Sequence, residues 1–188
     1  DEAVTIELIH EKKHKKIKWI IFYTRSLNSC LIFRDITPET WYPMIYTTPL
    51  SLGIIKKTFE NPKDSEKIRY KIIDPDVDIL KLWCFTLEFV PVNHNIPETL
   101  AVSIHTPKWI IFNSADFKID HTPAIDRPAD LAKIARIGAE WVKLYIWDSL
   151  GSNKKWRSIS EKEIWENLDE LIQKTKTRIL IATFASNV

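Results

Sequence analysis

Glycine is almost missing from this chain: 3 of 188 residues, where average usage of ~7% would give about 13. Cysteine is nearly as scarce. Cys30 and Cys84 stand alone with no CxxC spacing, which excludes a disulfide framework or zinc ribbon and fits a reducing cytosol. No apolar run reaches membrane-spanning length, because Lys, Arg, Asp or Glu interrupts every candidate. The acidic opening and the Lys run behind it have the wrong chemistry for a signal peptide, so a cytoplasmic protein is expected. Neither sign of charge dominates. A net +2 with 28% charged residues neither demands nor excludes a nucleic-acid partner. No internal repeat or low-complexity tract is present. What the chain does have is 45% hydrophobic residues, enough for one proper core, and eight tryptophans.

The apolar residues fall into short runs. Residues 4–16 are polar and basic, with Ile6, Leu8 and Ile9 as the apolar members of a short helix or strand. Trp19 to Tyr23 is a continuous apolar run, as expected of a parallel strand buried on both faces. Met44 to Tyr46 predicts another strand. Ser51 to Phe59 predicts a helix, with Leu52, Ile55 and Phe59 at helical spacing and Asn61-Pro62 as its stop. Strands are expected at Arg69 to Ile73, Phe85 to Phe89, Ala101 to His105 and Trp109 to Phe112, the last two joined by a hairpin turn at Thr106-Pro107-Lys108. Asp130 to Ile137 predicts a helix and Val142 to Trp147 a buried strand. Ser160 to Glu163 reads as a capping box, opening a helix that buries Ile164, Leu168, Leu171 and Ile172. Arg178 to Phe184 predicts a final strand. The fold class from layers alone is α/β, a β-rich centre with helices packed outside.

Two apolar runs end in residues that carry chemistry. Val92-Asn93-His94-Asn95-Ile96-Pro97 puts a histidine after one, and Asn113-Ser114-Ala115-Asp116-Phe117-Lys118-Ile119-Asp120 puts an aspartate after another. A metal-dependent hydrolase uses such residues, although a lone histidine behind a strand is more often structural. The basic run Lys12, Lys13, His14, Lys15, Lys16, Lys18 could touch phosphates, but more often such a run is a solvated helix end.

An ordered set of motifs carries more weight than any one of them. Ala115 to Asp120, Thr122-Pro123, Asp130 to Lys133, Ile137-Gly138, Asp148-Ser149, Ser160-Glu161, Arg178-Ile179 and Ala182 to Asn187 together closely resemble ribonuclease J, a metallo-β-lactamase/β-CASP nuclease family. Asn93-His94 with Ile96-Pro97, and Pro49 to Gly53, fit in the same order. The resemblance implies a partial αββα sandwich over residues 1–176, with 177–188 as the first strand of a β-CASP-like domain. It also implies RNA processing and degradation, by endonucleolytic and 5′-to-3′ exonucleolytic phosphodiester hydrolysis with two zinc ions. Two metals about 3.5–4 Å apart generate hydroxide and neutralise charge on the attacking and leaving oxygens. By position, His94 would be an imidazole ligand, Asp116 the bridging carboxylate, and Ala185, Ser186 and Asn187 contacts to RNA. Asp148 and Ser149 keep half of a family Asp-Ser-Thr-Asn turn.

The chain departs from this family where most metal ligands should be. Thr24 is in place, but Arg25 and Leu27 stand for the first two histidines of His-x-His-x-Asp-His, Ser29 for the aspartate and Cys30 for the last histidine. Only Cys30 could bind zinc, as a thiolate. Two ligands of about seven do not hold two metals, and Arg25 puts a cation where cations must bind. The tryptophans follow a pattern as well: Trp19, Trp83, Trp109, Trp141, Trp156 and Trp165 fall where the family commonly has glycine. Glycine codons drifting by one base to tryptophan, in a genome that reads UGA as tryptophan, would explain both the surplus and the scarcity. The expectation is a catalytically impaired ribonuclease J-like protein. The alternatives are a non-catalytic RNA-binding subunit, in a homo- or hetero-oligomer with a ribonuclease J paralogue, and a decayed gene product.

Overall fold

The computed structural model describes residues 18–22, 34, 42–149, 152–153, 155 and 158–182. The expected element at 4–16, the ligand loop with Arg25, Leu27, Ser29 and Cys30, and the RNA-contact positions Ala185, Ser186 and Asn187 lie outside them. The chain divides into two compact units, Asp1–Asp74 and Pro75–Val188.

In the first unit, β1 (Trp19–Phe22), β2 (Met44–Thr47) and β3 (Tyr70–Ile72) form a parallel sheet in that order. Helix α1 (Pro49–Thr58) begins at Thr48, whose hydroxyl oxygen accepts the Ser51 N–H, with Pro49 at a position where its missing N–H costs nothing. Lys56 and Lys57 in its last turn complement the negative end of the helix dipole. Its spacing of apolar residues turns Ile55 into a cluster with Phe22, Ile45, Phe59 and Ile68. Asn61, expected to stop this helix, also caps a second one, α2 (Pro62–Glu66), through the Lys63 N–H.

The second unit is built on a sheet of order β4-β5-β6-β7-β8: Ile79–Leu82, Phe85–Pro91, Leu100–His105, Ile110–Asn113 and Val142–Ile146. The first four strands run antiparallel in sequence, and β8 returns parallel to β7. That return requires a crossover, supplied by helix α3 (Leu131–Ala139), which Asp130 caps through the Lys133 N–H. Ile137 of α3 is fully buried against Val90, Val92, Ala101, Ile110 and Phe112. The expected hairpin turn closes β6 on β7, with the Thr106 hydroxyl accepting the N–H groups of Lys108 and Trp109. Helix α4 (Glu161–Lys174) starts at Ser160 as expected, its hydroxyl taking the Lys162 N–H.

Four expectations change. Strand β1, expected to be buried on both faces, is at a sheet edge among the described residues, with Trp19 exposed and Ile20 and Ile21 half-buried. Strand β8 is an edge strand among the described residues, and its side chains are largely exposed instead of buried. Residues 178–182 form no strand. The apolar stripe of α4 is where the 3.6-residue period puts it, but Ile164, Leu168, Leu171 and Ile172 are all exposed, Leu171 at 62%. Periodicity defines a stripe; burial needs a second layer, and none closes over it among the described residues.

Candidate metal centre

Strand β5 carries its apolar run to Val92 and then delivers Asn93 and His94. Asn93 is 1% exposed and fully engaged. Its amide donates to the Arg127 carbonyl at 2.7 Å, its carbonyl accepts the Ala129 N–H at 2.9 Å, and its backbone oxygen accepts the Lys118 N–H at 2.8 Å. One side chain thus ties the end of β5 to the lead-in of α3, while its backbone reaches the loop behind β7. His94 follows directly, so its position is fixed by its neighbour.

The loop after β7 is shaped just as locally. The Asn113 side chain accepts the Ala115 N–H, Ser114 N–H donates to the Ile146 carbonyl, and Ala115 takes a left-handed φ of 55°. This turn presents Asp116. Two residues on, the Lys118 ammonium pairs with Glu161 at 2.6 Å and lies 3.6 Å from Asp120. Asp120, only 5% exposed, accepts the Glu161 N–H, the Thr122 N–H and the Ser160 hydroxyl. Burial alone would raise the Asp120 carboxyl, but these three donors and the Lys118 charge outweigh it and hold it below its ordinary value. The aspartate is therefore an anion fastened to the N-terminus of α4, where a negative charge is favoured. Asp120 and Lys118 clamp the Asp116 loop onto that helix.

These two tethers bring His94 and Asp116 into one electrostatic neighbourhood. Burial depresses the His94 imidazole below its usual value; the nearby carboxylates of Asp116 and Asp148 pull it back up, and Lys118 adds to the depression. The neutral ring is the form that ligates metal. His94 Nδ1 is buried and has no hydrogen-bond partner. It borders an open cleft walled by Pro97, Lys118, Glu161 and the exposed Ile164 and Leu168 of α4.

A buried imidazole nitrogen without a hydrogen-bond partner, on a ring that feels the charges of Asp116 and Asp148, is compatible with one ligand of a metal site. The donor set goes no further: among the described residues no group of three or more His, Cys, Asp or Glu could hold a metal ion. Of the residues expected at the ligand-motif positions, which lie outside the described residues, Leu27 has no side-chain donor atom, Arg25 is a permanent cation, and Cys30 alone offers a zinc ligand, as a thiolate. These residues do not fit a two-zinc centre.

Sequence reasoning singled out His94 and Asp116, and the Asp116 carboxylate acts electrostatically on the His94 ring. It missed Asn93, whose signal was a polar residue closing an apolar run, and the Lys118–Asp120–Glu161 clasp, whose signal was the helix start at Ser160-Glu161.

Among the described residues no helix is long and apolar enough to cross a membrane. No family model matches the chain. Several curated relatives do. Ribonuclease J of Thermus thermophilus is 36% identical over 97% of this chain and 33% of its own length. Ribonuclease J of Helicobacter pylori is 34% identical over 80% of this chain and 22% of its own, and that of Sinorhizobium meliloti 32% identical over 94% and 31%. The chain thus spans a third or less of the length of these relatives. Among solved structures, the metallo-β-lactamase fold protein YhfI from Bacillus subtilis superposes with a TM-score of 0.47 at 16% identity, covering 61% of this chain and 47% of that one. The flavodiiron protein from Giardia intestinalis gives 0.48 at 18% identity, covering 74% and 32%. These structural likenesses are too slight to decide a fold by themselves; the sequence identities, which extend over most of this chain, place it in the ribonuclease J family.

Proposed function

We propose that the chain serves RNA processing and degradation as part of a ribonuclease J-type protein, and that its own residues do not assemble a working two-zinc centre. In this reading residues 1–176 are part of a metallo-β-lactamase-like domain and 177–188 open a β-CASP-like one, in the cytoplasm. His94 and Asp116 are two ligands still in register, and Ala185, Ser186 and Asn187 are positions for RNA contact. The observation that carries the reading is an orphaned His94 nitrogen on a ring that feels the charges of Asp116 and Asp148, while no group of three or more His, Cys, Asp or Glu among the described residues is placed to hold a metal ion. Two-metal hydrolysis needs both ions held, so no hydrolytic step is assigned to this pair.

A non-catalytic subunit, pairing with an active ribonuclease J copy and contributing RNA contacts, is the second reading. The hydrogen bonds that engage both side-chain polar atoms of buried Asn93 and both carboxylate oxygens of Asp120 favour it over a decayed product, since unpaired buried polar groups are costly. Cleavage of 5′-monophosphorylated RNA in the presence of zinc tests both. The expected result is no cleavage by the chain alone and retention of the RNA. Cleavage that His94→Ala and Asp116→Ala both abolish would overturn the reading of an incomplete site.

A further inference from the structure

Two exposed tryptophans sit where the backbone calls for glycine. Trp83 is the first central residue of the two-residue connection between β4 and β5, defined by the pairing of Leu82 with Phe85. Its φ is 57°, Cys84 beside it is not in the left-handed region, and the indole is 85% exposed. A hairpin loop with a positive φ at its first central position alone is dominated by glycine there. Trp141 lies two residues past the end of α3, behind Glu140, whose N–H reaches back to the Ile137 carbonyl. Its φ is 66° and it is 90% exposed. This is the left-handed position after a helix that glycine usually fills. A bulky residue with positive φ is an outlier, tolerated when its side chain secures something in return. Side chains this exposed bury little; Trp83 meets the Phe85 ring edge-on at 6.2 Å.

The two glycines among the described residues show the reverse. Gly53 and Gly138 lie inside helices without positive φ, and a Cβ at either would meet nothing within 4 Å. Glycine is thus present where it is dispensable, and tryptophan where glycine is needed. Tryptophan at either position carries the left-handed strain, and glycine would carry none.

We propose that positions 83 and 141 carry glycine in the protein the cell makes, encoded by UGA triplets that its ribosomes decode as glycine and not as tryptophan. The sense codon of tryptophan in the standard code is UGG, and UGA is a stop there. Where UGA encodes glycine, a chain written with tryptophan at every UGA shows tryptophan in glycine positions and a deficit of glycine. Both are present here. The same decoding accounts for the excess of tryptophan without any loss of selection on the gene.

The codons at 83 and 141 and the masses of the corresponding peptides, from protein isolated from the source organism, test this directly. UGA triplets with glycine-containing peptides are expected. UGG triplets, or tryptophan-containing peptides, would overturn the proposal. A second measurement isolates the backbone part: Trp83→Gly and Trp141→Gly should each raise the ratio of folded to unfolded chain by about fivefold to thirtyfold, and Trp→Ala at the same positions by less. Alanine matching glycine would show that neither position requires left-handed geometry. None of these outcomes depends on metal content, so the proposal and the incomplete-site reading stand or fall separately.

Discussion

Asn93 and His94 are adjacent in sequence and opposite in chemistry: one has both side-chain polar atoms engaged, the other keeps a buried nitrogen without a partner. Removing the Asn93 amide would strand the Arg127 carbonyl and the Ala129 N–H, so Asn93→Ala is expected to cost about 2–3 kcal/mol of stability, read by urea unfolding. Asp120 makes a pH-dependent contribution of definite sign. Its carboxyl is held below its ordinary value in the folded chain, so the unfolded chain binds its proton first as pH falls. The stability it contributes is present above about pH 4 and is lost as pH falls through the lower folded value. Asp120→Asn should therefore weaken the protein at neutral pH and flatten the fall of stability below about pH 4, measured as urea midpoints across an acid series. A parallel fall in both proteins would show that the clasp is not ionic.

At the scale of elements, burial separates helices that look alike in sequence. Ile137 in α3 is fully buried, and Ile137→Ala should cost about 2–5 kcal/mol through the cavity it leaves. Leu171 in α4 occupies an equally regular apolar stripe yet is 62% exposed, so Leu171→Gln should change stability by no more than about 0.5 kcal/mol. Thermal and urea melts of the two variants check the contrast. The same contrast explains what could be read in advance. Helices α1, α3 and α4 and strands β5 to β7 were legible because caps and periodicity are local properties. Strand β4 was not, because the turn that defines it has Trp83 in place of the glycine that marks a hairpin. The exposure of β8 and α4 was not legible either, since whether a stripe is covered depends on residues far away in the chain.

At the scale of the whole molecule, the chain matches a third or less of the length of its ribonuclease J relatives. Its candidate site was legible through position in an ordered set of motifs; neither His94 nor Asp116 would stand out by chemistry alone. What no motif conveyed is how the pair is held: by a buried asparagine on one side and a lysine–carboxylate clasp on the other. The pair is well positioned and short of partners, and metal stoichiometry follows directly from that. Zinc bound by the purified chain, measured by elemental mass spectrometry after equilibration with the ion and removal of excess, should be well below one per chain and should not change in His94→Ala or Asp116→Ala. Two zinc ions per chain, lost in both variants, would contradict the incomplete site.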